Sequence, residues 1–316
     1  MRLALLLLGF IVLAGNGSAE ERVWRLGVLT PGGWPTSSLH IVMVPELARR
    51  GFVEGRNLVV LPRWGSDGDL DRLAENLAMA KPDVIVAVST DGVRAAMTAA
   101  PNTPIVASFV DDPVKEGLAT SLSRPGGKVT GVAMLAGDGD KKRFEMLHEA
   151  IPTAHKLGFL ARVPNAGSEI DDIRRVAAGF GVEVVVYEAN KEADYRPALD
   201  AMHDARVEGV VIASSPIFFR DTAQLAALAM ERRLPTICEW REMVSAGCLI
   251  GYGPDIAELR LRTADFVVRL FAGGDPTEMP FEQPTHFVMA INSKVAGAIG
   301  MTVPLALVAR ADEVIE

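Results

Sequence analysis

Residues 89–92, Ser89-Thr90-Asp91-Gly92, place two hydroxyls at the predicted start of a helix. Hydroxyls and unpaired backbone N–H groups at a helix N-terminus favour an anion such as a carboxylate, which makes Ser89 and Thr90 candidate ligand-binding residues. An ordinary N-cap by Thr90 or Asp91 would account for the same residue types. Residues 30–34, Thr30-Pro31-Gly32-Gly33-Trp34, offer a backbone that a ligand can approach closely. Trp34 could stack on a ring there, or pack beneath its own loop. Of the neighbouring acids Asp111 and Asp112, the second stands before Pro113 and fits an N-cap with proline in the first helical position. Asp111 is left as a candidate for an ammonium group. In the second half of the chain the equivalent positions hold Arg162, the pair Ser214 and Ser215, and Glu239-Trp240. Glu239 could bind an amine and Trp240 could cover an apolar group, while Arg241 and Glu242 read as a solvated helix start. Carboxylate, amine and ring recognition is the chemistry these residue types offer.

Covalent and metal chemistry find no support. There is no G-x-S-x-G, no H-E-x-x-H and no G-x-x-x-x-G-K. His40, His148, His155, His203 and His286 are scattered without ligand spacing. Asp67, Asp69 and Asp71 alternate like the opening of a calcium loop, but Arg72 stands at the glycine position and Ala78 at the glutamate position. Gly251-Tyr252-Gly253 lacks the third glycine of a dinucleotide loop. No cofactor, no metal and no enzyme activity are therefore expected.

These residues acquire meaning from the elements that carry them. Short β-branched or aliphatic runs at 24–29, 58–63, 83–88 and 104–109 read as strands buried on both faces. Helical spacing at 38–50, 70–80, 93–100 and 114–122 separates and follows them, with Asp69 a good N-cap. Arg124-Pro125-Gly126-Gly127 breaks the chain, and 129–135 reads as a strand and crossover. A second series follows, with strands at 156–160, 183–187, 209–213, 235–238 and 248–252. Its helices are expected at 141–150, 169–180, 196–205, 222–232 and 256–271. The alternation predicts an α/β fold: two doubly wound, mostly parallel sheets with helices on both faces. In such sheets ligands sit outside the carboxyl ends of the strands, here in a cleft between two lobes. Every candidate named above lies directly after a strand.

The chain has 316 residues, enough for about two domains. Lys+Arg number 32 against 40 Asp+Glu, a formal charge of -8. That balance argues against nucleic-acid binding, which needs a clustered positive surface. No internal stretch is long enough and free enough of charge to span a bilayer. The first nineteen residues differ. Met1-Arg2 is a basic start, 3–14 is unbroken apolar sequence, and Gly17-Ser18-Ala19 supplies small residues before a cut. This reads as a secretory signal peptide cleaved after Ala19, with an uncleaved anchor as the alternative. No cysteine follows the cut, which argues against lipid modification. Export would expose Cys238 and Cys248 to oxidising conditions, so a bridge and two buried thiols are both open.

Ordered short runs carry a family resemblance across the chain from about residue 24 onward. They include Gly51-Phe52-Val53-Glu54-Gly55-Arg56-Asn57, Lys81-Pro82-Asp83-Val84-Ile85-Val86 and Arg124-Pro125-Gly126-Gly127-Lys128-Val129-Thr130-Gly131. Later come Arg233-Leu234-Pro235-Thr236-Ile237, Tyr252-Gly253-Pro254, Glu282-Gln283-Pro284-Thr285 and Arg310-Ala311-Asp312-Glu313-Val314-Ile315. The sequence resembles the ABC-transporter substrate-binding proteins of the tryptophan/tyrosine-binding type, which are similar to type 1 periplasmic binding proteins. Lys128 stands where that family usually has Asn. The resemblance implies an N-terminal lobe of 20–134 to which 254–283 returns, and a C-terminal lobe of 135–253 rejoined by 284–316. It implies a periplasmic receptor that closes around a small-molecule solute and hands it to an ABC permease in the inner membrane. The solute would be an amino acid or an aromatic carboxylate, and the protein a monomer. A sensory module presenting a solute to a membrane receptor is the alternative; a cleft hydrolase lacks its constellation.

Overall fold

A computed structural model of the protein describes residues 22–316 apart from 32, 135 and 163–166. The signal-peptide reading of 1–19, and the loop positions Gly32, Val163, Pro164 and Asn165, lie outside the described residues.

The strands β1 (Trp24–Pro31), β2 (Leu58–Gly65), β3 (Val84–Val88), β4 (Ile105–Val110) and β5 (Val129–Ala133) form one sheet in the order β2-β1-β3-β4-β5, parallel throughout. β3 and β5 are buried at every position, which is why β3 is apolar without alternation and Thr130 of β5 bonds the Met279 carbonyl. Helices α1 (Val44–Arg49), entered through a π-helical turn at Leu39–Met43, α2 (Leu70–Met79) and α3 (Thr90–Ala99) cover the sheet. α2 shows the cause most plainly: Leu70, Leu73, Ala74 and Leu77 are buried at helical spacing on one face.

The helix expected at 114–122 does not form. Residues after Pro113 make a series of turns: Gly117 adopts φ +69, and the amides of Leu118 and Ala119 both donate to the Pro113 carbonyl. A left-handed glycine in the first turn ends any helix that Asp112 and Pro113 begin.

The second sheet contains β6 (Lys156–Ala161), β7 (Glu183–Glu188), β8 (Val210–Ile212), β9 (Thr236–Cys238), β10 (Ile250–Pro254), β11 (Phe287–Asn292) and β12 (Glu313–Ile315) in the order β12-β11-β10-β9-β8-β6-β7. Among the described residues its pairings are parallel except that of β10 with β11, which is antiparallel. Helices α4 (Ala136–Ala150), α5 (Gly167–Phe180), α6 (Tyr195–Asp204), α7 (Pro216–Arg220), α8 (Thr222–Glu231) and α9 (Arg241–Ser245) alternate with its strands. Next comes α10 (Ile256–Phe271), and α11 (Ser293–Ile299) and α12 (Leu305–Val308) lie between the last two strands. Cys238, at the end of β9, is disulfide-bonded to Cys248, with Cα atoms 6.7 Å apart.

The chain passes between the sheets after β5, after β10 and before β11. α10 leaves the second sheet and packs on the first, beside β3, β4, β5 and α1. Its Phe271 stacks on Trp24 of β1 with ring centroids 4.5 Å apart. The returning segment is tied to β5: Glu282 donates its amide to the Gly131 carbonyl and accepts from the Ala133 amide. Gly131 has φ +139, and a Cβ there would lie 2.2 Å from the Ala107 carbonyl oxygen. The backbones of β4 and β5 approach so closely at this point that only glycine fits.

Candidate functional site

The carboxyl ends of β3 and β4 carry an unusual backbone. Ser89, just past β3, has φ 71 and ψ 158, a region used almost solely by glycine. Phe109, near the end of β4, has φ 58 beside a register shift between Ala107 and Val110. Both are non-glycine residues in the left-handed half of backbone space. The two are joined, since the Ser89 amide donates to the Ser108 carbonyl. Ser89 Oγ accepts from the Gly92 amide at 3.2 Å and so caps α3. The amide of Thr90, at the first helical position, has no intrahelical acceptor. Both hydroxyl residues are half-buried.

Beneath this edge lies Arg260 of α10, only 4% exposed. Its Nε donates to Ser38 Oγ at 2.8 Å and its Nη1 to Ser108 Oγ at 2.5 Å. The guanidinium carbon sits 3.9 Å from the centroid of the Phe109 ring. Desolvation pushes the Arg260 pKa down to about 9.

The second sheet presents a buried polar cluster. Glu239 follows β9 and is 7% exposed. Burial raises its carboxyl to about pKa 7; the Asp140 charge adds to the rise, while Arg143 and hydrogen bonds with Ser214 and Trp240 oppose it. Arg143 and Asp140, one turn apart on α4, form a buried ion pair. Arg143 also donates to Ser214 Oγ at 2.6 Å and to the Tyr252 carbonyl at 3.0 Å. Ser215 Oγ is buried without a hydrogen-bond partner among the described residues. Gly253 permits the neighbouring approach, because a Cβ there would lie 2.1 Å from the Glu239 carbonyl oxygen.

The two sheets meet through rings. Trp240, 5% exposed, lies against Phe109 with centroids 5.3 Å apart, and Phe219 meets its edge at 6.4 Å. A cavity of about 320 Å³ is lined by Met134, Arg143, Glu239, Tyr252, Gln283 and Phe287 among others, and none of the three contacting rings lines it. Its volume is at the lower end of the range for small-molecule sites, roughly 300–1,000 Å³.

The predicted residues divide in this geometry. Ser214, Glu239 and Trp240 come together, with Ser215 beside them at the start of α7. Ser89 and Thr90 form a second group on the first sheet. Thr30 is 5% exposed at the end of β1 and donates to the Pro31 carbonyl. Trp34 is buried against His40, ring centroids 5.0 Å apart, with its own carbonyl bonded by Ser37. Asp112 accepts from the amides of Val114 and Lys115, the expected capping role, and Asp111 is exposed beside it. Arg162 is half-buried at the end of β6. Of these candidates only Glu239 lines the cavity. Phe109, Asp140, Arg143 and Arg260 were not singled out from the sequence. Phe109 reads there as the last residue of a strand, Asp140 stands just before the helix expected at 141–150, and Arg143 and Arg260 lie inside helical patterns. Among the described residues no group of His, Cys, Asp or Glu is arranged to hold a metal, and no helix is long and apolar enough to cross a membrane.

Two α/β lobes that face each other with the carboxyl ends of their strands, joined by repeated crossings, define a two-lobed binding protein of the type 1 periplasmic kind. The chain belongs to the ABC transporter substrate-binding protein family, whose model matches residues 47–315. A curated relative, the tyrosine-binding protein of Clostridioides difficile, is 24% identical over 264 residues, covering 82% of this chain and 75% of its own. Among solved structures, a conserved domain protein from Vibrio cholerae superposes with TM-score 0.86 at 24% identity, covering 93% of this chain and all (100%) of its own. An ABC domain from Streptococcus pneumoniae in complex with L-tryptophan gives 0.83 at 20% identity, with the same coverage of 93% and 100%. The ligand-free, open structure of a Clostridium difficile substrate-binding protein with adhesive properties gives 0.67 at 22% identity, covering 93% of this chain and 99% of its own.

Proposed function

We propose that this protein is the exported receptor of an ABC importer and that its solute is an amino acid with an aromatic side chain. In this reading the lobe of 20–134 with 254–283 and the lobe of 135–253 with 284–316 close on the solute. The closed monomer then presents both rims to a permease in the inner membrane. The observation that carries the proposal is the contact between Phe109 and Trp240, one ring from each sheet, at the facing strand ends. Rings placed there can pack against an aromatic side chain that enters beside them or parts them. Ser89 and Thr90 would hold the carboxylate, with Glu239 or Asp111 for the amine. Thr30, Trp34, Arg162, Ser214 and Ser215 would complete the lining.

Two comparisons support the choice of solute: one relative is named for tyrosine, and one structural neighbour holds L-tryptophan. The better superposition on that complex than on the open, ligand-free neighbour supports reading this conformer as drawn together. Isothermal calorimetry on mature protein, unfolded and refolded to strip carried ligand, tests the proposal. Tyrosine, tryptophan and phenylalanine are titrated beside a neutral hexose. Micromolar or tighter binding of an aromatic amino acid is expected. Binding of the hexose alone, or no heat from any amino acid at millimolar concentration, overturns it.

A further inference from the structure

The first lobe holds a buried positive charge, Arg260, that no carboxylate among the described residues neutralises. Among the described residues no carboxylate lies within ion-pair distance of Arg260; its side chain meets the hydroxyls of Ser38 and Ser108 and the face of the Phe109 ring. By contrast the buried Arg143 is paired with Asp140. A guanidinium taken out of water without a counter-ion is unfavourable. Buried charges are normally paired, so this one is open to an anion.

The position of Arg260 indicates which anion. Ser38 lies in the loop after β1 and Ser108 in β4, so the guanidinium sits at the carboxyl edge of the first sheet. The same Ser108 carbonyl receives the Ser89 amide, which brings the N-terminus of α3 to the same edge. Phe109 covers the flat face of the guanidinium, and its other contact is Trp240. A planar guanidinium covered on its face binds through its N–H edge, and a carboxylate matches that edge.

The geometry points to Arg260 as the seat of the solute's carboxylate, with Ser89 and Thr90 as its neutral partners rather than the principal anchor. This deepens the amino-acid reading of the cleft and rests on it for the rest of the solute. It makes binding selective by charge: an acid is accepted, and the amine that lacks it is refused.

Matched ligand pairs provide the test. Wild-type protein is titrated with L-tyrosine and tyramine, and with L-tryptophan and tryptamine. Arg260→Met and Arg260→Lys are titrated with the two amino acids. Each amine is expected to bind at least tenfold more weakly than its acid. Arg260→Met should lose roughly tenfold or more in affinity, the effect of removing one charged hydrogen bond. Arg260→Lys should recover part of that loss, which a purely structural role would not predict. A difference smaller than tenfold within the wild-type pairs overturns the assignment, and this arm needs no variant to fold. If neither amino acid binds wild-type protein, the aromatic amino-acid reading fails, and a thermal-shift series with benzoate, acetate and phosphate decides Arg260 separately. Stabilisation by any of these anions that Arg260→Met abolishes retains the anion seat. No stabilisation of wild-type protein by any of them removes it.

Discussion

At the scale of single residues, Glu239 makes the sharpest demand on solution behaviour. Its carboxyl has an ordinary pKa of 4.5 and is driven up to about 7 by burial in the folded protein. Folding therefore takes up a proton here. The protonated group's contribution to stability is fully present below about pH 4.5 and is lost as pH rises through about 7. The full span corresponds to about 3 kcal/mol. Glu239→Gln keeps the shape and removes the titration. Urea unfolding at pH 5.5 and pH 8.5 should show wild-type protein losing more stability than the variant; parallel losses would remove Glu239 as the titrating group. An ammonium bound nearby would favour the ionised form, so amino-acid binding near pH 6.5 should release protons.

The residue scale also shows what the sequence could disclose. Ser214, Glu239 and Trp240 were legible because they directly follow apolar runs, and the strand-end rule points at that place. Arg143 and Arg260 were not. Each sits in an amphipathic pattern where an arginine is expected to face water. Only tertiary packing, of α4 on the second sheet and α10 on the first, turns them inward.

At the scale of elements, alternation of short apolar runs with helical spacing was enough to give two parallel sheets, since βα connections leave few arrangements. The exceptions have local causes. The turns after Pro113 replace a helix because Gly117 is left-handed. β11 was passed over although its run from Phe287 to Ile291 is apolar, because irregular chain separates it from α10 and it pairs antiparallel with β10. The crossing after β5 depends on one residue. Gly131→Ala would set a methyl carbon 2.2 Å from the Ala107 oxygen and force φ +139 on an alanine. Together these should destabilise the protein by about 3 kcal/mol or more. The change lies in the β4–β5 pairing, so a melting temperature lowered by several degrees is expected. A variant melting with wild-type protein would mean that β5 can separate from β4 there without loss.

At the scale of the whole molecule, the crossings and the ring contact act in opposition. The chain passes between lobes on one side, where Glu282 is clamped to Gly131 and Ala133. The lobes touch through Phe109 and Trp240. An aromatic pair adds only about 0.5–1.5 kcal/mol beyond the area it buries, so that contact alone holds closure weakly. A solute that reaches Arg260 on one lobe and Glu239 on the other binds the closed arrangement better and shifts the population towards it. Such a solute at 100 times its Kd would stabilise the protein by about 2.7 kcal/mol, a rise of roughly 5–10 °C in melting temperature for lobes of this size. Small-angle scattering should show the radius of gyration falling on addition of the same solute. In Phe109→Ala the solute loses a ring partner and the lobes lose their contact. A larger radius of gyration without solute and weaker binding should then appear together. If Phe109→Ala weakens binding while the radius of gyration stays at the wild-type value, Phe109 acts on the solute alone, and closure is governed by the crossings.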